Sequence, residues 1–237
     1  MTTQRFEYAA VYRATAQVSS IFGGVAFVKN QRVAFEHEAY SPHDGAYFFT
    51  FVDLGTGGST TWSTSNGEPA DLAVLVREAS PDVLVAAARA GDLGAVTGRL
   101  AALVDDPTRP VWAKLALTPA IEAGHAAIVS ALLAVDGVRD EWRTQAIVHA
   151  SSHAPNAAVL DAFEAAGVPW RHDDPQRQTL LHHAAAQGCL EVITWLLERG
   201  ADPQSMAGGS TPLRLAQAWR RPPEIVAALR DYLALAR

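Results

Sequence analysis

A helical pattern that recurs about every 33 residues constrains the fold of this chain more than any other feature. The clearest unit covers residues 179–203, and residues 146–170 align with it without a gap at a spacing of 33. Another copy begins at Thr211, and Gly91 and Gly124 mark two earlier copies. A single helix pair does not bury its own apolar face, so consecutive pairs have to stack. We therefore expect about five stacked units between residues 81 and 232.

The residue choices within one unit predict where each helix begins and ends. Thr179 and Thr211 are of the type that caps a helix N-terminus, and Pro212 suits a first helical position. Gly188 is expected to end the first helix in a left-handed conformation. The second helix then has apolar residues at helical spacing, namely Val192, Ile193, Leu196 and Leu197.

These residues resemble the motif of the ankyrin repeat family. The matching positions of the clearest unit are Thr179, His182, Ala184, Ala185, Gly188, Glu191, Leu196, Leu197, Gly200, Ala201 and Asp202. Thr211, Pro212, Leu213 and Ala216 match again, whereas Arg214 replaces the motif histidine. The resemblance implies an α-solenoid that binds another protein through its concave face and finger loops. It also implies that the motif histidine bridges adjacent turns.

The resemblance also implies which residues contact the partner. The family projects a finger at residues 171–174, and residues 139–143 are the equivalent stretch one unit earlier. Together with first-helix positions of the concave face, the predicted partner-binding residues are Trp142, His153, Trp170, Arg171, His172, Asp173, His183, Gln187, Trp219 and Arg220. The alternative for each tryptophan is packing within its own repeat.

The N-terminal part has a different texture, so the predicted fold class is α+β. Residues 1–66 form a small, mostly β unit, residues 67–80 a linker with a leading helix over 70–78, and residues 81–237 the ankyrin repeat domain. Strands are expected within residues 6–18, 25–28, 32–36, 47–52 and 60–63, with the second and third forming a hairpin around Asn30. No family resemblance covers residues 1–78.

Composition limits the class of partner and the compartment. The formal net charge is −6, and Arg220-Arg221 is the longest basic cluster, so nucleic acid is an unfavourable partner. An acidic surface suits a basic protein partner, as in an immunity or anti-toxin protein. Cys189 is the only cysteine, and no signal peptide or membrane span is apparent. We expect a cytoplasmic protein, and the richness in Ala and Arg suggests a bacterial one.

Candidate chemical sites have weak signals in the sequence. His149 and His153 lie four residues apart, as two metal ligands would, but no third ligand follows. Cys189 has no evident orienting partner, and the glycines at 55–58 are not followed by a lysine and a helix. We therefore predict no metal, no cofactor and no catalytic residue.

Two alternatives stay open for the N-terminal unit. It contains polar residues among aromatic ones, namely His37, His43, Asp44, Tyr47 and Asp53, which would suit an enzyme or a small-ligand site. It also has strands whose exposed edge would suit a homodimer.

Overall fold

The computed structural model describes residues 6–19, 25–41, 46–65, 75–79, 82–171 and 179–235. This part of the chain has an α+β layout, with strands before residue 80 and helices after it. The strands are β1 (Val11–Ala14), β2 (Val18–Ser19), β3 (Val25–Phe27), β4 (Arg32–Ser41), β5 (Ala46–Asp53), β6 (Ser59–Ser65) and β7 (Leu75–Ala79). None of the helices in these ranges is long and apolar enough to cross a membrane.

Five of the strands form one antiparallel sheet in the order β6-β5-β4-β1-β7, and β2 pairs with β3. The predicted strands over 32–36, 47–52 and 60–63 are confirmed. The predicted hairpin between residues 25–28 and 32–36 is wrong, because β3 pairs with β2 whereas β4 pairs with β1 and β5. Asn30 turns the chain at φ +70° and donates its backbone N–H to the Ala14 carbonyl, so this turn joins the two sheets.

An aromatic cluster forms the core on one face of the large sheet. Phe51 is fully buried, and its ring centroid lies 5.1 Å from that of Phe6 and 5.4 Å from those of Phe27 and Phe35. Edge-to-face contacts of this kind add to the free energy gained by burying the rings. Alternate residues of β5 point to one face, so Phe49 joins the same cluster.

The predicted leading helix is wrong over residues 75–78, which belong to β7, and residues 70–74 lie outside the described ranges. Leu75 is buried in the aromatic core, while Glu78 forms ion pairs with Arg32 of β4 and Arg13 of β1. Arg77 pairs with Glu7 in the same region. Leu75 therefore faces the core, whereas Val76, Arg77 and Glu78 are exposed. A segment this short does not show by its pattern whether it is a strand or a helix.

Ten helices follow in the described part of the chain. Their bounds are α1 (Val83–Ala90), α2 (Leu93–Ala102), α3 (Arg109–Glu122), α4 (Ala126–Leu133), α5 (Asp140–His153), α6 (Ala158–Ala165), α7 (Leu180–Gln187), α8 (Leu190–Glu198), α9 (Pro212–Ala218) and α10 (Pro223–Leu235). Helix α5 packs against α7 and α7 against α9, while α4 packs against α6 and α8 against α10. In these four cases, helices that are two apart in sequence are neighbours in space.

The chain divides into two compact units. The sheet unit comprises residues 1–86 and 98–115, and the helical unit comprises residues 87–97 and 116–237. Within the sheet unit, the buried ammonium of Lys114 lies 2.6 Å from a Glu36 carboxylate oxygen, and the Tyr8 hydroxyl donates to the Leu115 carbonyl. These contacts explain why part of α3 belongs with the strands.

Candidate functional site

The N-terminus of α7 carries the capping arrangement that the sequence predicts. The Thr179 hydroxyl accepts a hydrogen bond from the His182 backbone N–H, and the Thr179 N–H donates to Nδ1 of His182. Nε2 of the same ring lies 3.1 Å from the Ser210 carbonyl oxygen, to which it donates. Burial lowers the pKa of His182, which keeps the ring neutral, as this donor–acceptor pattern requires. His182 therefore bridges two adjacent helix pairs.

The next helix, α9, begins in the same way without a histidine. The Thr211 hydroxyl accepts from the Arg214 backbone N–H, and Pro212 occupies the first turn. At the other end of this helix, Arg220 stands where the preceding pair has Gly188, and both have positive φ, +52° and +82°. A non-glycine residue in this conformation costs about 1–2 kcal/mol.

A series of polar contacts links each helix pair to the pair before it. In each case a side chain in the turn between two helices reaches a backbone carbonyl of the preceding pair, and we call the series the turn ladder. Its members are His125 to Arg89 at 3.3 Å, Asn156 to Gly124 at 3.4 Å, Cys189 to Ser152 at 3.4 Å and Arg221 to Ala186 at 2.5 Å. The donors are about one repeat apart, so the ladder fixes the register of the stack.

The turn glycines make room for this ladder. A Cβ placed on Gly91 would lie 2.7 Å from the His125 ring, and one on Gly124 would lie 2.5 Å from the Asn156 amide nitrogen. Both glycines also have positive φ. The sequence pattern identifies these glycines, but our sequence analysis missed the ladder residues His125 and Asn156. Their position in the sequence could have identified them, because His125 directly follows the turn residue Gly124 and Asn156 directly follows Pro155, which occupies the same place in its unit.

Residues 139–143 do not form the predicted finger. They include the first turn of α5, which at 14 residues is longer than α7 with 8. Asp140 and Glu141 stabilise this turn because their carboxylates lie at the positive end of the helix dipole. Arg143 donates to the Leu133 carbonyl, which also holds the segment. Trp142 is only 6% exposed, so its ring belongs to the core.

The finger predicted after Trp170 is anchored within the chain where the structure describes it. The Arg171 guanidinium lies 4.8 Å from the centroid of the Trp170 ring and donates to the Arg199 carbonyl. The half-buried Trp170 ring meets the buried Trp195 ring edge-on at 5.8 Å. These contacts agree with the alternative given for Trp170, which is packing within the chain instead of contact with a partner. His172 and Asp173 lie outside the described residues.

The remaining predicted residues lie on three neighbouring helices. His153 is exposed at the end of α5, His183 is half-buried on α7, and Gln187 is exposed at the end of α7. Trp219 and Arg220 are exposed at the end of α9. Since α5 packs on α7 and α7 packs on α9, these five residues form a series that we call the α5–α7–α9 row.

A histidine pair extends the row toward α3. The rings of His149 and His153 stack at a centroid distance of 4.3 Å, and Nε2 of His149 lies 3.2 Å from a Glu122 carboxylate oxygen. Burial and the neighbouring His153 lower the pKa of His149, and Glu122 opposes this shift. No group of three or more His, Cys, Asp or Glu side chains within the described ranges is arranged to hold a metal ion.

The polar residues proposed for a site in the N-terminal unit do not converge where the structure describes them. Tyr47 stacks on Phe49, with ring centroids 6.4 Å apart. Burial alone would raise the pKa of Asp53, but hydrogen bonds from Gln31 and from the backbone N–H groups of Gly55 and Thr56 hold it below its usual value. Asp53 therefore organises the turn between β5 and β6. The side chains of His37, His43 and Asp44 lie outside the described part.

A cavity of about 310 Å³ lies elsewhere in the sheet unit. Its lining includes Asp82, Arg99, Asp106 and Thr108. Arg99 makes two hydrogen bonds to the Asp82 carboxylate, and Thr108 donates to Asp106 through both its backbone and its hydroxyl. These charged groups are already paired, so they favour a structural role over ligand binding.

Cys189 is half-buried, and burial raises the pKa of its thiol. The thiol is therefore protonated at neutral pH and serves as a donor in the turn ladder. A nucleophilic cysteine needs the opposite shift.

Comparison with known proteins identifies one segment. Residues 176–205 match the family model of the ankyrin repeat, which covers α7, α8 and the turn after them. A search of curated proteins finds no match to the chain. Ankyrin repeats generally mediate protein–protein interactions. Through the α7–α8 pair, this chain is therefore similar to ankyrin repeat proteins.

Proposed function

We propose that this chain binds another protein through the α5–α7–α9 row, on a stack of five ankyrin-type helix pairs. The observation that carries the proposal is the matched repeat at residues 176–205, whose first helix supplies His183 and Gln187 to the row. Repeats of this kind present variable surface residues on a regular frame, so the exposed side chains of the row are the natural contact points.

The turn ladder supports extension of the matched repeat in both directions. Ladder contacts occur at four successive turns, from His125 to Arg221, and each one joins neighbouring helix pairs. The pairs joined in this way run from α1–α2 to α9–α10, which supports the proposal of five units. Only one of the five pairs matches the family model, so the proposal that the other four are repeats of the same type is based on their packing and their spacing.

Burial selects among the residues proposed for contact. Trp142 is left out of the proposed surface, because its ring is buried in this conformation. Trp170 and Arg171 support the Trp195 region, so a loss of binding on their substitution would combine contact and stability effects. His153, Gln187, Trp219 and Arg220 are exposed and therefore give cleaner tests. His172 and Asp173 keep the role that the family resemblance gives them.

The biological role that we propose is to neutralise or scaffold the partner inside a bacterial cell, as an immunity protein does. The net charge of −6 supports this role only at long range, where it favours the approach of a basic protein. The charge that the partner presents at the contact itself depends on the side chains of the row.

The test compares substitutions in the row with a matched substitution elsewhere. Gln187→Glu adds one negative charge at an exposed helical position of the row, and Ala227→Glu adds the same charge at an exposed position on α10. The immobilised wild-type and variant chains are used to capture proteins from a lysate of the source cells, and each captured protein is then purified and titrated by calorimetry.

We expect at least one purified protein to bind the wild type and Ala227→Glu alike and to bind Gln187→Glu with an affinity that differs about tenfold, or about 1.4 kcal/mol, because the added charge repels an acidic contact and attracts a basic one. Thermal melting of each variant shows whether the fold is kept. If every captured protein binds Gln187→Glu as well as the wild type, the row is not the binding surface.

A further inference from the structure

Trp219 is the tryptophan that the fold leaves in solvent. It is 63% exposed at the end of α9, whereas Trp62, Trp112, Trp142 and Trp195 are each less than 8% exposed. Trp170, the sixth, is half-buried. Tryptophan is among the residues that contribute most to the binding energy at protein interfaces, and burying a large exposed ring against a partner is favourable.

The residue after Trp219 has an unusual backbone. Arg220 is held at φ +52°, in a turn position where α3 and α7 are followed by Gly124 and Gly188. Glycine would adopt this conformation without strain, so arginine is less stable here than glycine would be. Strained positions of this kind often mark functional sites. Arg220 is exposed, and no hydrogen bond or ion pair joins its guanidinium to another described residue.

The chain segment that carries Trp219 is basic, although α10, which packs against α9, carries Glu224 and Asp231. Residues 203–223 include Arg214, Arg220 and Arg221 and no acidic residue, and α7 has none either. Arg221 is used in the turn ladder, but Arg214 is exposed and, like Arg220, has no ion pair with a carboxylate of the described part. Because salt screens charges over about 8 Å, these arginines and not the net charge of −6 determine which charges are attracted at contact.

We propose that the exposed residues Arg214, Trp219 and Arg220, which lie on α9 and the turn after it and which we call the Trp219 patch, bind an acidic segment of the partner protein. An apolar side chain of the segment packs on the Trp219 ring, and its carboxylates pair with the two arginines, which suit bidentate contacts with carboxylates. Two unpaired arginines are too few for tight binding to a phosphate backbone. This inference rests on the proposed function, because it names the chemistry that part of the same row recognises.

The experiment selects binders from a phage-displayed library of random dodecapeptides with the full chain as target. Enriched peptides are synthesised with a fluorescein label and titrated by fluorescence polarisation. The variants are Trp219→Ala, Arg220→Glu, Arg220→Gly and the row variant Gln187→Glu, with Arg230→Glu as the charge-matched control at an exposed position of α10. A fluorescein-labelled single-stranded DNA is titrated in parallel.

We expect the enriched peptides to share acidic residues next to an aromatic or aliphatic one. Trp219→Ala and Arg220→Glu should each weaken binding about tenfold or more, as substitution of a residue central to an interface does. Arg230→Glu should change binding less than about twofold, as a charge outside the contact does. Arg220→Gly is the sharpest variant, because it should raise the melting temperature and still weaken binding. A purely structural role for Arg220 predicts no loss of binding.

Other results overturn the inference in ways that separate it from the proposed function. If the peptides are basic, or if they bind Trp219→Ala normally but lose binding to Gln187→Glu, the acidic-segment inference is wrong and the row still binds protein. If binding is insensitive to both variants, the peptides bind outside the row and the acidic-segment inference is wrong. Enrichment of no peptide, or tighter binding of the DNA through the same patch, also rejects the inference, and the protein capture described above then tests the row independently.

Discussion

The neighbouring helix pairs α5–α6 and α7–α8 begin and end their first helices differently. In α7, Thr179 caps the N-terminus and Gly188 ends the helix at φ +82°. In α5, no side chain caps the N-terminus, and the helix ends at Ala154, whose backbone is extended, one residue before Pro155. Proline disfavours helical backbone in the residue before it, so Pro155 ends α5 by a different mechanism from the glycine.

The second helices of the two pairs are much more alike. Leu196 of α8 and Phe163 of α6 lie 33 residues apart, and both side chains are almost completely buried. Both pairs also contribute to the turn ladder, through Asn156 and Cys189. The comparison teaches that the spacing and the apolar face of the second helix maintain the stack, whereas caps and turn residues set the length of each first helix.

The largest expected effect tests whether the two pairs are equally important for stability. Phe163→Ala should lower the free energy of unfolding by about 3–5 kcal/mol and Leu196→Ala by about 2–5 kcal/mol, because each removes buried contacts and leaves a cavity. Urea unfolding followed by circular dichroism measures both. A cost below about 1 kcal/mol for Phe163→Ala, far under the usual range, would show that α5–α6 is not a packed member of the stack.

A smaller effect should distinguish the histidines of the two pairs. His182→Ala leaves the Ser210 carbonyl and the Thr179 N–H without their buried partner, which should cost about 1–3 kcal/mol. His149→Ala removes a partly exposed contact with Glu122 and should cost less than about 1 kcal/mol. Equal losses in the same urea titration would mean that His149 performs the bridging role of the motif histidine.

A glycine in a turn and a glycine inside a helix offer a third contrast. Gly188→Ala should cost about 1–2 kcal/mol, because alanine is strained at φ +82° and its Cβ would lie 3.2 Å from the Arg221 side chain. Gly98 is exposed inside α2 and has no atom within 4 Å of its Cβ position, so Gly98→Ala should stabilise the protein by up to about 1 kcal/mol. Thermal unfolding of both variants should therefore give shifts of opposite sign, and a stabilising Gly188→Ala would contradict the assigned conformation.

The repeat predicted best from sequence is the one whose local chemistry is explicit. For α7, the cap and the ending glycine follow from residue types and the bridging histidine from the family resemblance, and all three are present in the structure. For α5, the sequence has the spacing without the cap, so the same alignment placed Trp142 on a finger and the structure buries it in a longer helix. Helix length here depends on contacts such as that of Arg143 with Leu133, which spacing does not encode.

Among the strands, too, some features were predictable from the sequence and others were not. The strand within 47–52 was predictable because its aromatic and β-branched residues favour a pleated, half-buried surface. The strand character of Leu75–Ala79 was not, because it depends on pairing with β1, which is distant in sequence. The pairing of β3 with β2 is local, and we missed it by pairing residues 25–28 with the segment after them. The exposed position of Trp219 was predicted from the family alignment, whereas the unpaired state of Arg214 and Arg220 required the coordinates.

The smallest expected effect concerns the pH dependence of stability. The pKa values of His149 and His182 are both lowered in the folded state, chiefly by burial, so the unfolded chain binds more protons near pH 6. Stability should therefore be complete above the ordinary histidine pKa of about 6.5 and should fall as the pH is lowered through it, by at most about 1.4 kcal/mol per pH unit for each histidine. Urea unfolding at pH 7.5 and pH 5.5 measures the difference above the range in which carboxylates titrate.

His149→Gln makes this measurement decisive for the comparison of the two pairs. Glutamine does not titrate, so the variant should lose the part of the pH dependence that comes from α5 and keep the part that comes from His182 of α7. Glu122 opposes the shift at His149, and backbone hydrogen bonds with Ser210 and Ser205 oppose it at His182, so part of the pH dependence should remain in the variant. If His149→Gln abolishes the pH dependence altogether, the bridge at His182 does not hold a neutral ring, and the bonding assigned to the motif histidine is wrong.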